Sequence, residues 1–145
     1  MPTARRSRTI AAAPEQVWKT VADPHHLPRW WPRVERVEAV SGDRFTEVLT
    51  TDRGRSVRAD FRVVESRAPE RRAWEQEVAG SPFERIMVSS RTEVVLAPAD
   101  GGTRVTLAVR QQMRGTARFA GWVVRRGTRG VLDEALGALE SLHGT

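Results

Sequence analysis

Between Val34 and Met113 the chain changes face every second residue, and turn-forming residues interrupt that alternation at short intervals. The most regular stretch sets Val57, Ala59, Phe61 and Val63 against Arg58, Asp60 and Arg62. A period of two belongs to a strand with one buried face, because successive side chains point to opposite sides of the pleat. The breaks are Ser41-Gly42-Asp43, Asp52-Arg53-Gly54, Ala68-Pro69-Glu70, Gly80-Ser81-Pro82 and Asp100-Gly101-Gly102, all of them turn chemistry. Six strands are predicted: Val34–Val40, Phe45–Thr51, Ser56–Glu65, Arg72–Ala79, Glu84–Ala97 and Thr103–Met113. Connections this short cannot carry a parallel crossover, so neighbouring strands run antiparallel.

Helical patterns flank the strands. Arg8 to Ala12 reads as a short strand, after which Pro14 opens a helix over Glu15 to Val21, proline being suited to a first helical position. Asp23-Pro24 stops it and starts a second short helix toward Trp31-Pro32. From about Ala117 to Leu142 a helical period returns, with Val124, Val131, Ala135, Leu139 and Leu142 on one face, widened by Leu132 and Leu136. Only this helix is long enough to cover the apolar face of such a sheet, so the fold class is α+β.

Composition narrows the function. At 145 residues the chain is expected to form a single domain, 1–145. No apolar run approaches the ~20 residues of a membrane span, and the arginine-bearing N-terminus lacks the apolar segment of a secretory signal, so a cytoplasmic protein is expected. The absence of cysteine and tyrosine excludes disulfides, thiolate metal sites and two common catalytic side chains. The net charge of +6 and pI of about 11.3 invite a nucleic-acid reading, but Lys19 is the only lysine and acids are interspersed among the arginines. Net charge bears on non-specific association and not on fold.

Several local signatures coincide with this order of elements. They are Ala13-Pro14-Glu15-Gln16-Val17-Trp18, Asp23-Pro24 followed by Leu27 and Trp30, the hairpin Asp100-Gly101-Gly102-Thr103-Arg104-Val105-Thr106, and the closing helix Leu132 to Leu142. Together they resemble the START / polyketide cyclase-like superfamily, the helix-grip fold also called SRPBCC, over nearly the whole chain. The resemblance implies a curved antiparallel seven-stranded sheet wrapped around the C-terminal helix, with two short helices after the first strand and a cavity between sheet and helix. Members carry lipids, sterols, hormones or quinones, cyclise polyketides, or act as protein co-factors, so the site must be argued separately.

Strand registers suggest the lining of that cavity. If Pro98 pairs with Thr103, then Leu96 faces Val105, Val94 faces Leu107, Thr92 faces Val109, Ser90 faces Gln111 and Val88 faces Met113. Across the Ser66–Arg71 connection, Val63 falls opposite Trp74 and Phe61 opposite Gln76. Both registers put the apolar set on one face, as a correct register must. They bring Gln76, Ser90, Thr92 and Gln111 onto that face among Phe61, Trp74, Val88 and Met113, an apolar wall with a few convergent polar groups. Trp30, near the expected cavity mouth, and Trp122, beside Gly121 and ahead of Gly127 and Gly130, complete the candidate ligand-binding set. Trp18 and Trp31 read as packing anchors. The helix half around Gly127 and Gly130 is a candidate gate, unless those glycines serve close packing on the sheet.

Dedicated catalytic chemistry is sparse. His25 and His26 are adjacent and His143 lies at a helix end expected to fray, so no metal-ligand spacing is present. No nucleophile elbow, phosphate loop or cofactor motif occurs. Glu47 points inward if the Asp52–Gly54 turn has three residues and outward if the turn has two, and solvent is the ordinary place for a carboxylate. Between Gly101 and Leu132 stand seven arginines and no acid; Arg104, Arg110 and Arg114 fall on the outer strand face, and Arg125, Arg126 and Arg129 on the outer side of the helix. That face is either simply solvated or a landing site for an acidic carrier protein or an anionic lipid surface. The leading expectation is a carrier or sensor of a lipid-, polyketide- or quinone-like molecule. The alternatives are a polyketide cyclase or dehydratase acting by substrate positioning, and a protein-interaction module using the basic surface.

Overall fold

The computed structural model describes residues 3–51, 53–115 and 121–143, with side chains in the last stretch from residue 126 onward. Its strands are β1 (Thr3–Ile10), β2 (Val34–Ser41), β3 (Arg44–Thr50), β4 (Ser56–Arg67), β5 (Arg71–Gln76), β6 (Met87–Ala99) and β7 (Gly102–Met113). Its helices are α1 (Pro14–Val21), α2 (Leu27–Trp30) and α3 (Gly121–His143). The strands form one seven-stranded sheet in the order β1-β7-β6-β5-β4-β3-β2, antiparallel throughout. This is the helix-grip architecture expected from the sequence.

Strands β2 to β7 follow one another as hairpins, whereas β1 joins the far edge by pairing with β7 from Thr3↔Arg110 to Ile10↔Thr103. Two contacts fix that junction. Thr103, fully buried, donates its hydroxyl to the Ala12 carbonyl at 2.6 Å. At Gly102 a Cβ would lie 2.0 Å from the Ile10 carbonyl oxygen, so only glycine allows the backbones to approach this closely.

Local chemistry sets the remaining boundaries. Pro14, Glu15 in the first turn and Lys19 in the last favour α1, which buries Val17 and Val21. The Asp23 carboxylate accepts from the His25 N–H at 3.0 Å and starts a 3₁₀ turn, Pro24–His26, that leads into α2. A second 3₁₀ turn occupies Pro82–Arg85 and displaces the predicted beginning of the sixth strand to Met87. Ser81 caps it, accepting from the Phe83 N–H at 3.2 Å.

Helix α3 buries Leu132, Ala135, Leu136 and Leu139 completely and packs chiefly on β1, β7 and α2. Leu142, expected on the same face, is instead 45 % exposed. The helix end is tied rather than frayed, with His143 Nε2 and the Thr20 hydroxyl 2.7 Å apart. Gly127 and Gly130 have nothing within 4 Å of an added Cβ, so close packing does not explain them. On the outer sheet face, the arginines of the central strands are matched by acids: Arg58–Glu38 at 2.7 Å, Arg71–Glu65 at 2.7 Å and Arg91–Glu93 at 2.9 Å.

Because Leu139 is fully buried in a filled part of the core, Leu139→Ala is expected to cost about 2–5 kcal/mol. Leu142→Ala is expected to stay within about 0.5 kcal/mol. Urea unfolding of the two variants measures the contrast; equal losses would contradict this packing.

Candidate functional site

The packing of α3 toward β1 and part of β7 leaves the inner face of β3, β4 and β5, and the ends of β6 and β7 that carry Ser90, Thr92, Val109 and Gln111, uncovered, and a cavity of about 610 Å³ fills the space. Its floor is the sheet, its roof the helix residues Gly127, Thr128 and Val131, and its rim Trp31-Pro32-Arg33 and Phe83. A pocket of this size accommodates a small organic molecule.

The β4–β5 register read from the sequence holds in the structure at Phe61 and Val63, and the β6–β7 register holds from Ser90 to Pro98. Phe61 pairs with Gln76, Val63 with Trp74, Ser90 with Gln111 and Thr92 with Val109. As a result Phe61, Trp74, Gln76, Ser90, Thr92 and Gln111 all line the cavity. None of the four polar side chains in this set bonds to another described residue, and Gln76 Nε2 is buried without a partner. Inward hydroxyls usually bond a neighbouring backbone group; those of Ser90 and Thr92 do not bond to any described residue.

Other candidates are placed differently. Val88 does not face inward: it is 42 % exposed. The register shifts between Met87↔Met113 and Ser89↔Gln112, so Val88 is the extra residue of a β-bulge and is pushed outward. Met87 takes the place on the wall, and Met113 is half-buried away from it. Trp30 is not at the mouth either; it is 2 % exposed in the core, and its neighbour Trp31 lines the cavity instead. The two indoles meet edge to face at 5.4 Å, and Trp31 meets Trp74 at 6.4 Å. The Trp122 and Arg125 side chains lie outside the described residues. Arg104, Arg110, Arg114, Arg126 and Arg129 are exposed as expected. Among the described residues no cluster of histidine and carboxylate groups could hold a metal, and no helix is long and apolar enough to cross a membrane.

Glu47 is the main departure from expectation. The turn bonds Gly54 N–H to the Thr51 carbonyl at 2.9 Å and Thr51 N–H to the Arg55 carbonyl at 2.8 Å. This longer turn sets Glu47 opposite Ala59 and sends its carboxyl inward beside Phe45 and Leu49, where it is 4 % exposed and part of the cavity wall. Its only displacement comes from burial, which pushes the pKa from the ordinary 4.5 up to about 8, since the charged form loses its hydration without gaining a partner. Val48 is buried too, on the opposite face, between Arg36 and Arg58 in register, whose aliphatic stems can cover it.

A raised carboxyl pKa means that the native state holds the proton more tightly than the unfolded chain. Its contribution to stability is full below the ordinary carboxylate range and is lost as pH rises toward about 8, at a slope approaching ~1.4 kcal/mol per pH unit. Glu47→Gln is therefore expected to flatten the stability profile between those limits and to be the more stable protein at the alkaline end. Denaturation midpoints across that range check it, and parallel profiles would show that Glu47 is not buried alone.

The sequence matches the family profile described as polyketide cyclase / dehydrase and lipid transport over residues 1–144. No curated protein matches it significantly. Among solved structures, it is similar to a START superfamily protein from Mycobacterium smegmatis (TM-score 0.80, 13 % identity, 97 % of this chain and 96 % of that one). A protein from Thermus thermophilus is likewise similar (TM-score 0.75, 22 % identity, 97 % and 95 %). So is the di-domain ARO/CYC protein StfQ of the steffimycin biosynthetic pathway (TM-score 0.79, 14 % identity), of which this chain spans 49 % while 97 % of this chain is covered. Sheet topology, gripped helix, cavity and profile agree: the chain belongs to the polyketide cyclase / dehydrase and lipid transport family, within the SRPBCC superfamily.

Proposed function

We propose that the protein binds a hydrophobic small molecule, lipid-, polyketide- or quinone-like, in the cavity beneath α3, and acts as its carrier or sensor. The observation that carries this reading is the wall itself. Phe61, Trp74, Trp31, Phe83, Met87 and Val109 provide apolar surface, and Gln76, Ser90, Thr92 and Gln111 add polar groups without partners among the described residues. Burying apolar ligand surface supplies affinity, roughly 25 cal/mol per Å², and the polar groups select among ligands of similar size. Native mass spectrometry of the purified protein is expected to show a co-purified organic mass.

A second reading, a polyketide cyclase or dehydratase acting by positioning, is supported by Glu47, the one carboxyl on the wall among the described residues. It would provide the proton-transfer group that the absence of tyrosine otherwise denies to this chain. Turnover of a poly-β-ketone, lost in Glu47→Gln, separates an enzyme from a carrier. The exposed arginines Arg104, Arg110, Arg114 and Arg126 suit an acidic carrier protein or an anionic lipid surface as the delivering partner.

Replacing Gln76 or Gln111 by Leu is expected to change which ligands bind while shifting stability by less than about 1 kcal/mol, because neither side chain gives up a hydrogen bond to a described residue. Isothermal titration and urea unfolding on the same variants test it. A large stability loss with unaltered preference would assign these glutamines to the core rather than to a site.

A further inference from the structure

Glu47 and Arg33 are the only charged residues on the cavity wall among the described residues. Arg33 is exposed at the rim and contributes nothing resolved to the carboxyl's state. The strand neighbours of Glu47 are Val37 on β2 and Ala59 on β4, and the roof above the cavity is Gly127, Thr128 and Val131. Among the described residues, no element packed around the cavity therefore bonds or pairs with this carboxyl. Buried to 4 % exposure without a partner, it is far cheaper to hold as the neutral acid than as the anion.

We propose that Glu47 recognises ligands as a neutral acid, donating its O–H to an uncharged acceptor oxygen of the carbonyl class. This rests on the cavity being a ligand site and specifies what that site selects. Two chemistries would satisfy a lone buried carboxyl: a ligand cation paired with the carboxylate, or a ligand oxygen accepting from the acid. The remaining wall decides between them. Among the described residues the fully buried side-chain polar atoms without a partner are both donors, Gln76 Nε2 on the wall and Trp30 Nε1 in the core, so what the buried part of the wall lacks is an acceptor. A ligand ammonium would add up to three further donors, whereas a carbonyl oxygen supplies the missing acceptor. The net charge of +6 also disfavours the arrival of a cation.

The neutral acid also sets a direction for pH. An ionised Glu47 can only accept hydrogen bonds, so it would face a carbonyl oxygen with like polarity. Carbonyl ligands should then bind through the protonated fraction alone, and the apparent Kd rises as that fraction falls. With the midpoint at about 8, roughly one carboxyl in ten keeps its proton one pH unit above it, for about a tenfold loss.

Three probes of one hydrocarbon frame test this by calorimetric titration at about pH 6 and pH 9: 2-acetylnaphthalene, 2-ethylnaphthalene and 2-(aminomethyl)naphthalene. The ketone is expected to bind wild type about tenfold more weakly at the higher pH, and the hydrocarbon equally at both. E47Q, whose amide still donates, should bind the ketone without pH dependence, and E47L should lose the preference for ketone over hydrocarbon. Hydrocarbon and ketone binding equally at both pH values would overturn the role of Glu47 while leaving the cavity a ligand site. An amine that binds most tightly, and more so at the higher pH, would overturn it in favour of a carboxylate counter-ion. Failure of all three probes to bind would overturn the ligand site and this inference together.

Discussion

The pairing of the first strand with the last holds the molecule in its shape. Eight registered residue pairs join β1 to β7, sealed by the Thr103 hydroxyl on the Ala12 carbonyl and by the close approach at Gly102. From β2 to β7 the sheet is a run of local hairpins. What β1 adds is the start of the segment that leads through α1 and α2 to β2, and a surface on which α3 packs. This one contact of high sequence separation therefore decides which part of the inner face is filled. Such pairings are slow to form because loop-closure entropy is lost before the contacts are gained.

The inner face is consequently divided. Toward β1 and β7 it is closed, with Ile10, Val105, Leu107, Leu132, Leu136 and Leu139 fully buried. Toward β3, β4 and β5, and at the ends of β6 and β7 that carry Ser90, Thr92, Val109 and Gln111, it is open and lined by polar groups without partners among the described residues. A buried, unsatisfied polar group such as Gln76 Nε2 costs on the order of 1–3 kcal/mol, a cost that the packing of the closed half offsets.

Much of this was legible in the sequence where one physical signal dominated. The β4–β5 and β6–β7 registers followed from aligning apolar residues on one face, and they delivered Phe61, Trp74, Gln76, Ser90, Thr92 and Gln111 to the cavity. The misses lie where a single residue shifts the frame. A bulge at Val88 exchanges it for Met87, and the signal that a strand had not yet begun was the capping Ser81 before Pro82. One residue in the length of a turn decides the side of Glu47, and Asp52-Arg53-Gly54 suits either count. Trp30 and Trp31 are adjacent at the end of a four-residue helix, too short for periodicity to say which indole faces inward. Val48 is buried between Arg36 and Arg58 in register, on a face that alternation assigns to solvent.

Gly127 in the roof of the cavity and Gly130 three residues on bear on how a ligand could reach it. Gly127 and Gly130 touch no neighbouring group that a methyl would disturb, yet each weakens helix by about 1 kcal/mol relative to alanine. The opposite end of α3 is nailed down by four fully buried side chains and the Thr20–His143 contact. Backbone propensity therefore favours fraying near Gly127 over fraying above the core. Under the proposed carrier role, such fraying would open the cavity with no hinge loop and no displaced domain, at a frequency set by residues that need not touch the ligand.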